Sequence, residues 1–160
     1  MISDREFESL FNRYFDQVRK YLYFKCSDKD LATDIAQDVF TKVWEKRKQF
    51  DHRNIKALLY KMASDQLISH FRKNKTTPEK PFEFDIDTNT PHQQLELKEL
   101  KIKYETALAS LPENQRVVFL MNRIEQLTYK EIAVRLEISV KAIEKRMSGA
   151  IKYLRAQLKP

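Results

Sequence analysis

A single glycine, Gly149, in 160 residues constrains this chain more than any other feature. Ordinary usage would give about 11 in this length. Hairpins and tight β turns draw on glycine for their positive φ angles, so a large β structure is excluded, as is a glycine-rich phosphate loop. Charged residues make up 33% and apolar residues 42%, with a net charge of +7. That is too charged for a membrane protein and too apolar for a disordered one. The longest uninterrupted apolar run, Val117 to Met121, is far short of a membrane span. The first residues, Met1-Ile2-Ser3-Asp4-Arg5-Glu6, contain no apolar signal segment. The one cysteine, Cys26, excludes an internal disulfide and fits a reducing cytoplasm. The expectation is an all-α, basic, soluble protein without membrane insertion.

Charge divides the chain into three. Residues 1–73 carry +4, residues 74–106 carry −2, and residues 107–160 carry +5. Pro78, Pro81 and Pro91 fall in the acidic middle with Glu79, Glu83, Asp85 and Asp87, where no helical period shows. The segment 75–91 therefore reads as a flexible linker between two small helical domains, 1–74 and 92–160, each with its own modest core. The competing reading is a buried irregular loop in one larger domain.

Apolar spacing places the helices. Phe7, Leu10, Phe11, Tyr14, Val18, Tyr21 and Leu22 recur at steps of three and four. Ser27 followed by Asp30 resembles a capping box opening a second helix, whose buried stripe is Leu31, Ile35, Val39 and Val43. A third begins near Ile55 and carries Leu58, Leu59, Met62, Leu67, Ile68 and Phe71. A fourth spans roughly His92 to Ala109, and Pro112 suits the first turn of a fifth. Thr128 and Glu131 form a capping box before a short sixth helix. Ser139 can cap a seventh that runs from Val140 to about Gln157.

The last two helices make a helix-turn-helix pattern. In the seventh, Ile143, Met147, Ile151, Leu154 and Leu158 face inward, while Lys141, Lys145, Ser148 and Lys152 share an outward stripe with Arg146 beside it. A major groove admits such a helix, and its cations can neutralise phosphates or reach guanine edges. A solvated basic face is the plainer reading. On the second helix, Asp34, Gln37, Asp38, Thr41 and Glu45 form an acidic face that DNA should avoid. It suits a basic protein partner or simply solvent. The third helix ends in His70, Arg72, Lys73 and Lys75 near Tyr60 and Phe71. Single-stranded DNA could stack and pair there; alternatively, Phe71 is core and the cations complement the helix C-terminus.

The segment Asp34-Ile35-Ala36-Gln37-Asp38-Val39-Phe40-Thr41-Lys42-Val43-Trp44-Glu45 resembles the core-polymerase-binding helix of bacterial extracytoplasmic-function (ECF) sigma factors, within the sigma-70 family. Ala63 through Ile68, Phe71, Arg72 and Lys73 resemble that family's promoter-melting helix. Ser110-Leu111-Pro112-Glu113-Asn114-Gln115-Arg116 and the helix-turn-helix ending Ala150-Ile151-Lys152-Tyr153-Leu154-Arg155 resemble its C-terminal domain. The likeness covers nearly the whole chain apart from the linker, with four motifs in the family's order.

What the resemblance implies is a cytoplasmic transcription initiation factor with no catalytic residues, metal or cofactor. Asp34, Gln37, Asp38, Thr41 and Glu45 would meet the beta-prime clamp helices of core RNA polymerase, and the C-terminal domain the beta flap. Phe50, His52, Arg53, Asn54, Lys61, Asp65, Ser69, His70, Arg72 and Lys73 would act at the minus-ten element, where an unpaired base is held outside the stack. Ser139, Lys141, Lys145, Arg146, Ser148 and Lys152 would read the minus-thirty-five element. An anti-sigma factor is a further implied partner. Three positions depart from the pattern: Asp65 stands where asparagine is usual, Ser69 where aspartate is usual, and Glu137 where the turn usually carries glycine.

Two other classes remain to be weighed. His52, His70 and His92 are scattered, with no HExxH and no second cysteine, so nothing suggests an enzyme. A helix-turn-helix regulator acting without polymerase core binding would need no acidic face on the second helix.

Overall fold

The computed structural model describes residues 1–74 and 91–159. It consists of α1 (Asp4–Cys26), α2 (Lys29–Glu45), a 3-10 turn (His52–Asn54), α3 (Ile55–Asn74), α4 (Pro91–Ser110), α5 (Glu113–Arg123), α6 (Tyr129–Leu136) and α7 (Val140–Leu158), with no strand among the described residues. The proposed linker lies outside these residues except for Pro91, where α4 begins.

With so little glycine, side chains must close the helix ends. Ser3 and Glu6 form a reciprocal capping box at the start of α1: Ser3 Oγ accepts from the Glu6 N–H, and the Ser3 N–H donates to Glu6 at 2.6 Å. Ile2, just before the cap, is buried, and its N–H donates to the Arg47 carbonyl at 2.9 Å, tying the N-terminus to the end of α2. Thr128 and Glu131 form the expected box on α6, and Ser139 accepts from the Ala142 N–H at the start of α7.

The expected Ser27–Asp30 box is absent. Ser27 instead ends α1 in the left-handed conformation (φ 53°), donating its N–H to the Tyr23 carbonyl, and Asp28 opens α2 by accepting from the Leu31 N–H at 3.1 Å. One residue cannot be left-handed to stop a helix and extended to start the next, so the two tasks fall to neighbours. Pro112 likewise lies one position ahead of expectation, at the N-cap of α5 rather than in its first turn.

In the N-terminal half, α1, α2 and α3 enclose Val18, Leu22, Val39, Phe40 and Leu59, all at most 2% exposed. The α2 stripe is wider than expected: Ala32, Ala36 and Phe40 join Ile35, Val39 and Val43, while Leu31 is only half-buried. Ile68 departs from expectation, being 49% exposed. In the C-terminal half, Leu108, Leu120, Met121, Ile132, Ile143 and Met147 form the core. Gly149 lies where α7 meets α5; a Cβ there would stand 2.7 Å from the Gln115 amide nitrogen.

The halves pack against each other, α1 on α5 and α3 on α6. Glu137, in the turn between α6 and α7, takes the left-handed conformation (φ 56°, ψ 43°) that glycine adopts freely. Replacing it with glycine is expected to stabilise the protein by about 1 kcal/mol, seen as a higher melting temperature. A lower one would show that the glutamate side chain contributes more than the strain costs.

Candidate protein and nucleic-acid interfaces

Three surfaces carry the candidate residues. On α2, burial of Ile35, Val39 and Val43 turns Asp34, Gln37, Asp38, Thr41 and Glu45 outward, and all five are exposed. Thr41 Oγ1 donates back to the Gln37 carbonyl at 2.8 Å. Beside this acidic stripe lies a groove of about 560 Å³ lined by Phe7, Phe11, Gln37, Phe40, Thr41 and Trp44. Trp44 and Phe11 are more than a third exposed, and the Arg47 guanidinium covers the Trp44 ring at 3.9 Å. The sequence reading placed Phe7 and Phe11 in the core stripe and passed over the groove. The i, i+4 pair Phe40 and Trp44, one step off the buried stripe, was the available signal.

The second surface is the turn before α3 and that helix's outer face. Asp51 accepts from the Arg53 N–H at 3.2 Å, fixing the 3-10 turn that holds His52, Arg53 and Asn54. Arg53, Asn54, Lys61, Asp65, Arg72 and Lys73 are exposed; Phe50, Ser69 and His70 are half-buried. Of the aromatics considered for base stacking, Tyr60 is only 4% exposed, edge-on to Tyr21, and Phe71 packs partly against the core. Burial raises the Tyr60 hydroxyl well above its usual pKa. In this arrangement both rings serve packing, which for Phe71 is the plainer of the two readings.

The third surface is α7. Ile143, Met147, Ala150 and Leu154 are buried, which presents Ser139, Lys141, Lys145, Ser148 and Lys152 to solvent with Arg146 half-buried beside them. Behind this stripe, Tyr104, Phe119, Arg123, Ile151, Arg155 and Leu158 line a groove of about 530 Å³ formed by α4, α5 and α7.

Comparison with known proteins assigns the two halves. Residues 10–77 match sigma-70 region 2, and residues 101–154 match sigma-70 region 4. SigM and SigX of Bacillus subtilis, both ECF RNA polymerase sigma factors, are 26% identical over 82% and 97% of this chain, and over 82% and 84% of their own lengths. The ferric citrate uptake sigma factor FecI of Escherichia coli is 26% identical over 92% of this chain and 87% of its own. The chain belongs to the ECF sigma-70 family. Among solved structures, the sigma factor RpoE of Bartonella quintana, in complex with the anti-sigma factor NepR, superposes with a TM-score of 0.66 at 20% identity, over 96% of this chain and 97% of its own. CnrH in complex with the cytosolic domain of CnrY gives 0.62 at 23% identity, over 98% and 89%. These likenesses bear on the fold.

The sigma factor also holds buried charges that sequence reasoning missed. Arg116, 6% exposed, donates Nε–H to the Phe24 carbonyl (2.8 Å) and an Nη2–H to the Lys25 carbonyl (2.7 Å), while Nη1 reaches the carbonyls of Ala109 and Leu111, each at 3.3 Å. Lys25 Nζ pairs with Glu113 at 3.1 Å and donates to Ser64 Oγ at 2.8 Å. Burial opposes its charge, yet Tyr21 and Glu113 outweigh burial and hold the ammonium above the usual lysine range. Nothing in the one-dimensional pattern of Arg116 or Lys25 signals these contacts, since their partners lie 91 and 92 positions away for Arg116 and on other helices for Lys25. The Cys26 thiol, pushed up to about 11 by burial, is held as a packed side chain.

Among the described residues no group of three or more His, Cys, Asp or Glu is placed to hold a metal, and no helix is long and apolar enough to cross a membrane. Glu125 and Arg135 make an ion pair of 2.8 Å whose side chains are 7% and 9% exposed. Removing one partner of such a pair strands the other charge, so Glu125→Ala is expected to cost about 3–5 kcal/mol, read from urea unfolding. A loss below about 1 kcal/mol would place the pair in the weak, solvent-screened class.

Proposed function

We propose that this sigma factor binds core RNA polymerase through the α2 face and directs it to promoters whose minus-thirty-five element is read by α7 and whose minus-ten element is opened by α3 and the turn before it. The observation that carries the reading is the segregation of charge on exposed helix faces. A net-positive protein keeps Asp34, Asp38 and Glu45 together on one face of α2, and Lys141, Lys145 and Lys152 together on one face of α7. Negative charges on a helix facing DNA would repel phosphate, so the acidic face suits a partner other than DNA. The aromatic groove at Phe11 and Trp44 adds apolar area to that face, as protein interfaces need at their centres.

On α7, the cations are spaced to follow a groove wall, and Ser139 at the N-cap brings the helix N-terminus toward the same side. On α3, Lys61, Asp65, Ser69 and Arg72 run along one side of the helix. Arg72 and Lys73 supply phosphate contacts, and the half-buried Phe50 and the exposed Asn54 flank the place where an unstacked base would be received. Asp65 brings a negative charge to this stripe, which favours a contact to a base amino group over one to phosphate. The groove between α4, α5 and α7, apolar with Arg123 and Arg155 at its rim, suits an amphipathic segment carrying acidic residues, whether from the beta flap or from an anti-sigma factor. Solved structures of similar fold include RpoE in complex with the anti-sigma factor NepR, and CnrH in complex with the cytosolic domain of CnrY.

A helix-turn-helix regulator working alone is the second reading, and the acidic face separates the two. Reversing charge with Asp38→Lys and Glu45→Lys is expected to lower affinity for core polymerase at least tenfold while leaving duplex DNA binding intact. Unchanged polymerase affinity would overturn the assignment of α2. Conversely, Lys141→Ala with Lys145→Ala is expected to reduce promoter-specific transcription and flatten the salt dependence of DNA binding by about two ions, without weakening the polymerase complex. Equal transcription from that double variant would place the recognition surface elsewhere. Trp44, the sole tryptophan, supplies an optical check: its emission should shift to the blue when core polymerase covers the groove.

A further inference from the structure

A lone acid stands among the cations of α7. The helix carries Lys141, Lys145, Arg146, Lys152 and Arg155, and Glu144 is its one carboxylate. Burial of Ile143, Met147, Ala150 and Leu154 fixes the inner face. Glu144 lies outside it and is exposed, one turn after Lys141 and one turn before Ser148. There it lines a groove of about 680 Å³ with Tyr129, Ser148, Ile151, Lys152 and Arg155. Tyr129 opens α6, so this groove runs between the two helices of the helix-turn-helix. Among the described residues no hydrogen bond or ion pair engages the Glu144 carboxylate, although Lys141 and Lys145 are close in sequence.

What α7 meets has to account for that carboxylate. Duplex DNA carries about one negative charge per 1.7 Å of axis, and an acid facing a phosphate weakens binding. In a helix-turn-helix, however, the first residues of the second helix reach base edges while the first helix crosses the backbone. Glu144 belongs to that N-terminal stretch of α7, and Lys152 and Arg155, farther along, suit the phosphates.

At base edges the chemistry reverses. A carboxylate only accepts hydrogen bonds. Guanine O6 and N7 and thymine O4 are acceptors and repel it, adenine sets its amino donor beside the N7 acceptor, and cytosine offers its N4 amino group. The guanine paired with that cytosine presents two acceptors, which a lysine matches. Lys141 and Lys145 flank Glu144 on the same exposed side. A cytosine–guanine pair therefore satisfies the acid and a neighbouring cation together. The same acid rejects guanine or thymine in the cytosine's place by repulsion.

We propose that Glu144 is a specificity-determining residue of the minus-thirty-five reader: its carboxylate accepts a hydrogen bond from the N4 amino group of one cytosine and restricts this sigma factor to promoters that carry it. The proposal rests on the reading of α7 as the DNA-reading helix and adds the base that one of its residues selects. The test uses core polymerase loaded with the full-length chain and barcoded templates built on a mapped promoter, with the minus-thirty-five region randomised. Templates that yield RNA are counted by sequencing. With the wild-type chain, cytosine at one position is expected to exceed each other base by at least about fivefold. Glu144→Ala is expected to bring that position to within about twofold of even while preferences at other positions stay in place. Glu144→Lys is expected to exchange cytosine for guanine there, since lysine seeks guanine acceptors.

A wild-type profile with no cytosine position, cytosine retained in Glu144→Ala, or a uniform rise in output from every template would overturn the proposal and leave Glu144 a solvated acid. In that event a profile still altered by Lys141→Ala with Lys145→Ala keeps α7 as the reader. A wild-type chain with no base preference anywhere in the region overturns that reading, and the assignment of Glu144 with it.

Discussion

An α-helix leaves its last carbonyls without partners inside the helix, and a chain with one glycine has few left-handed glycine caps to close them. This protein answers with a side chain. The Arg116 guanidinium takes carbonyls from the end of α1, Phe24 and Lys25, and from the α4–α5 connection, Ala109 and Leu111. A planar group with five donors can satisfy several acceptors at once while keeping its charge. Burying that charge is tolerable because carbonyl oxygens at helix C-termini carry partial negative charge. One residue of α5 thereby completes the end of α4 within its own half and the end of α1 across the seam. The Lys25–Glu113 ion pair adds a second tie between α1 and α5 beside it.

The division of surface charge has the same economy. Every helix that bears a candidate interface buries one face and exposes the other, so an exposed residue's role is fixed by which core its neighbours fill. Burial of Ile35, Val39 and Val43 sends the acids of α2 outward, and burial of Ile143, Met147 and Leu154 does so for the lysines of α7. The aromatic groove arises because Phe40 is held fully inside while Trp44, one turn later, reaches the edge of the core and stays partly open. An acidic stripe bordering exposed aromatic rings offers both the steering and the desolvated contact that association with a basic protein surface requires.

Local pattern made much of this legible. The Thr128 and Ser139 caps, the start of α3 and the two faces of α7 depend only on residues within a turn or two of each other, and the structure has them as read. The positive φ at Glu137 was visible as glutamate standing where the family has glycine. Failures came where a residue had two possible tasks or a distant partner. Ser27 reads as a cap for α2, but stopping α1 took precedence, leaving Asp28 to start the next helix. Ile68 fits the apolar period of α3, yet among the described residues it stands half exposed. The seam was the largest omission. Charge and the prolines divided the chain into two helical halves, and the contacts that Arg116 and Lys25 make between those halves are ones that no spacing rule encodes. The candidate interface residues were found by periodicity together with the family resemblance; the groove beside them needed the fold.

The central claim is that this chain supplies promoter selection to an RNA polymerase that otherwise lacks it. Run-off transcription with purified sigma-free core polymerase and fragmented DNA from the source organism, with transcript starts mapped, tests it most directly. The account predicts defined starts that appear only when the protein is added and that share upstream elements near −10 and −35. An absence of such starts, together with no co-elution of the protein and core polymerase on gel filtration, would contradict it.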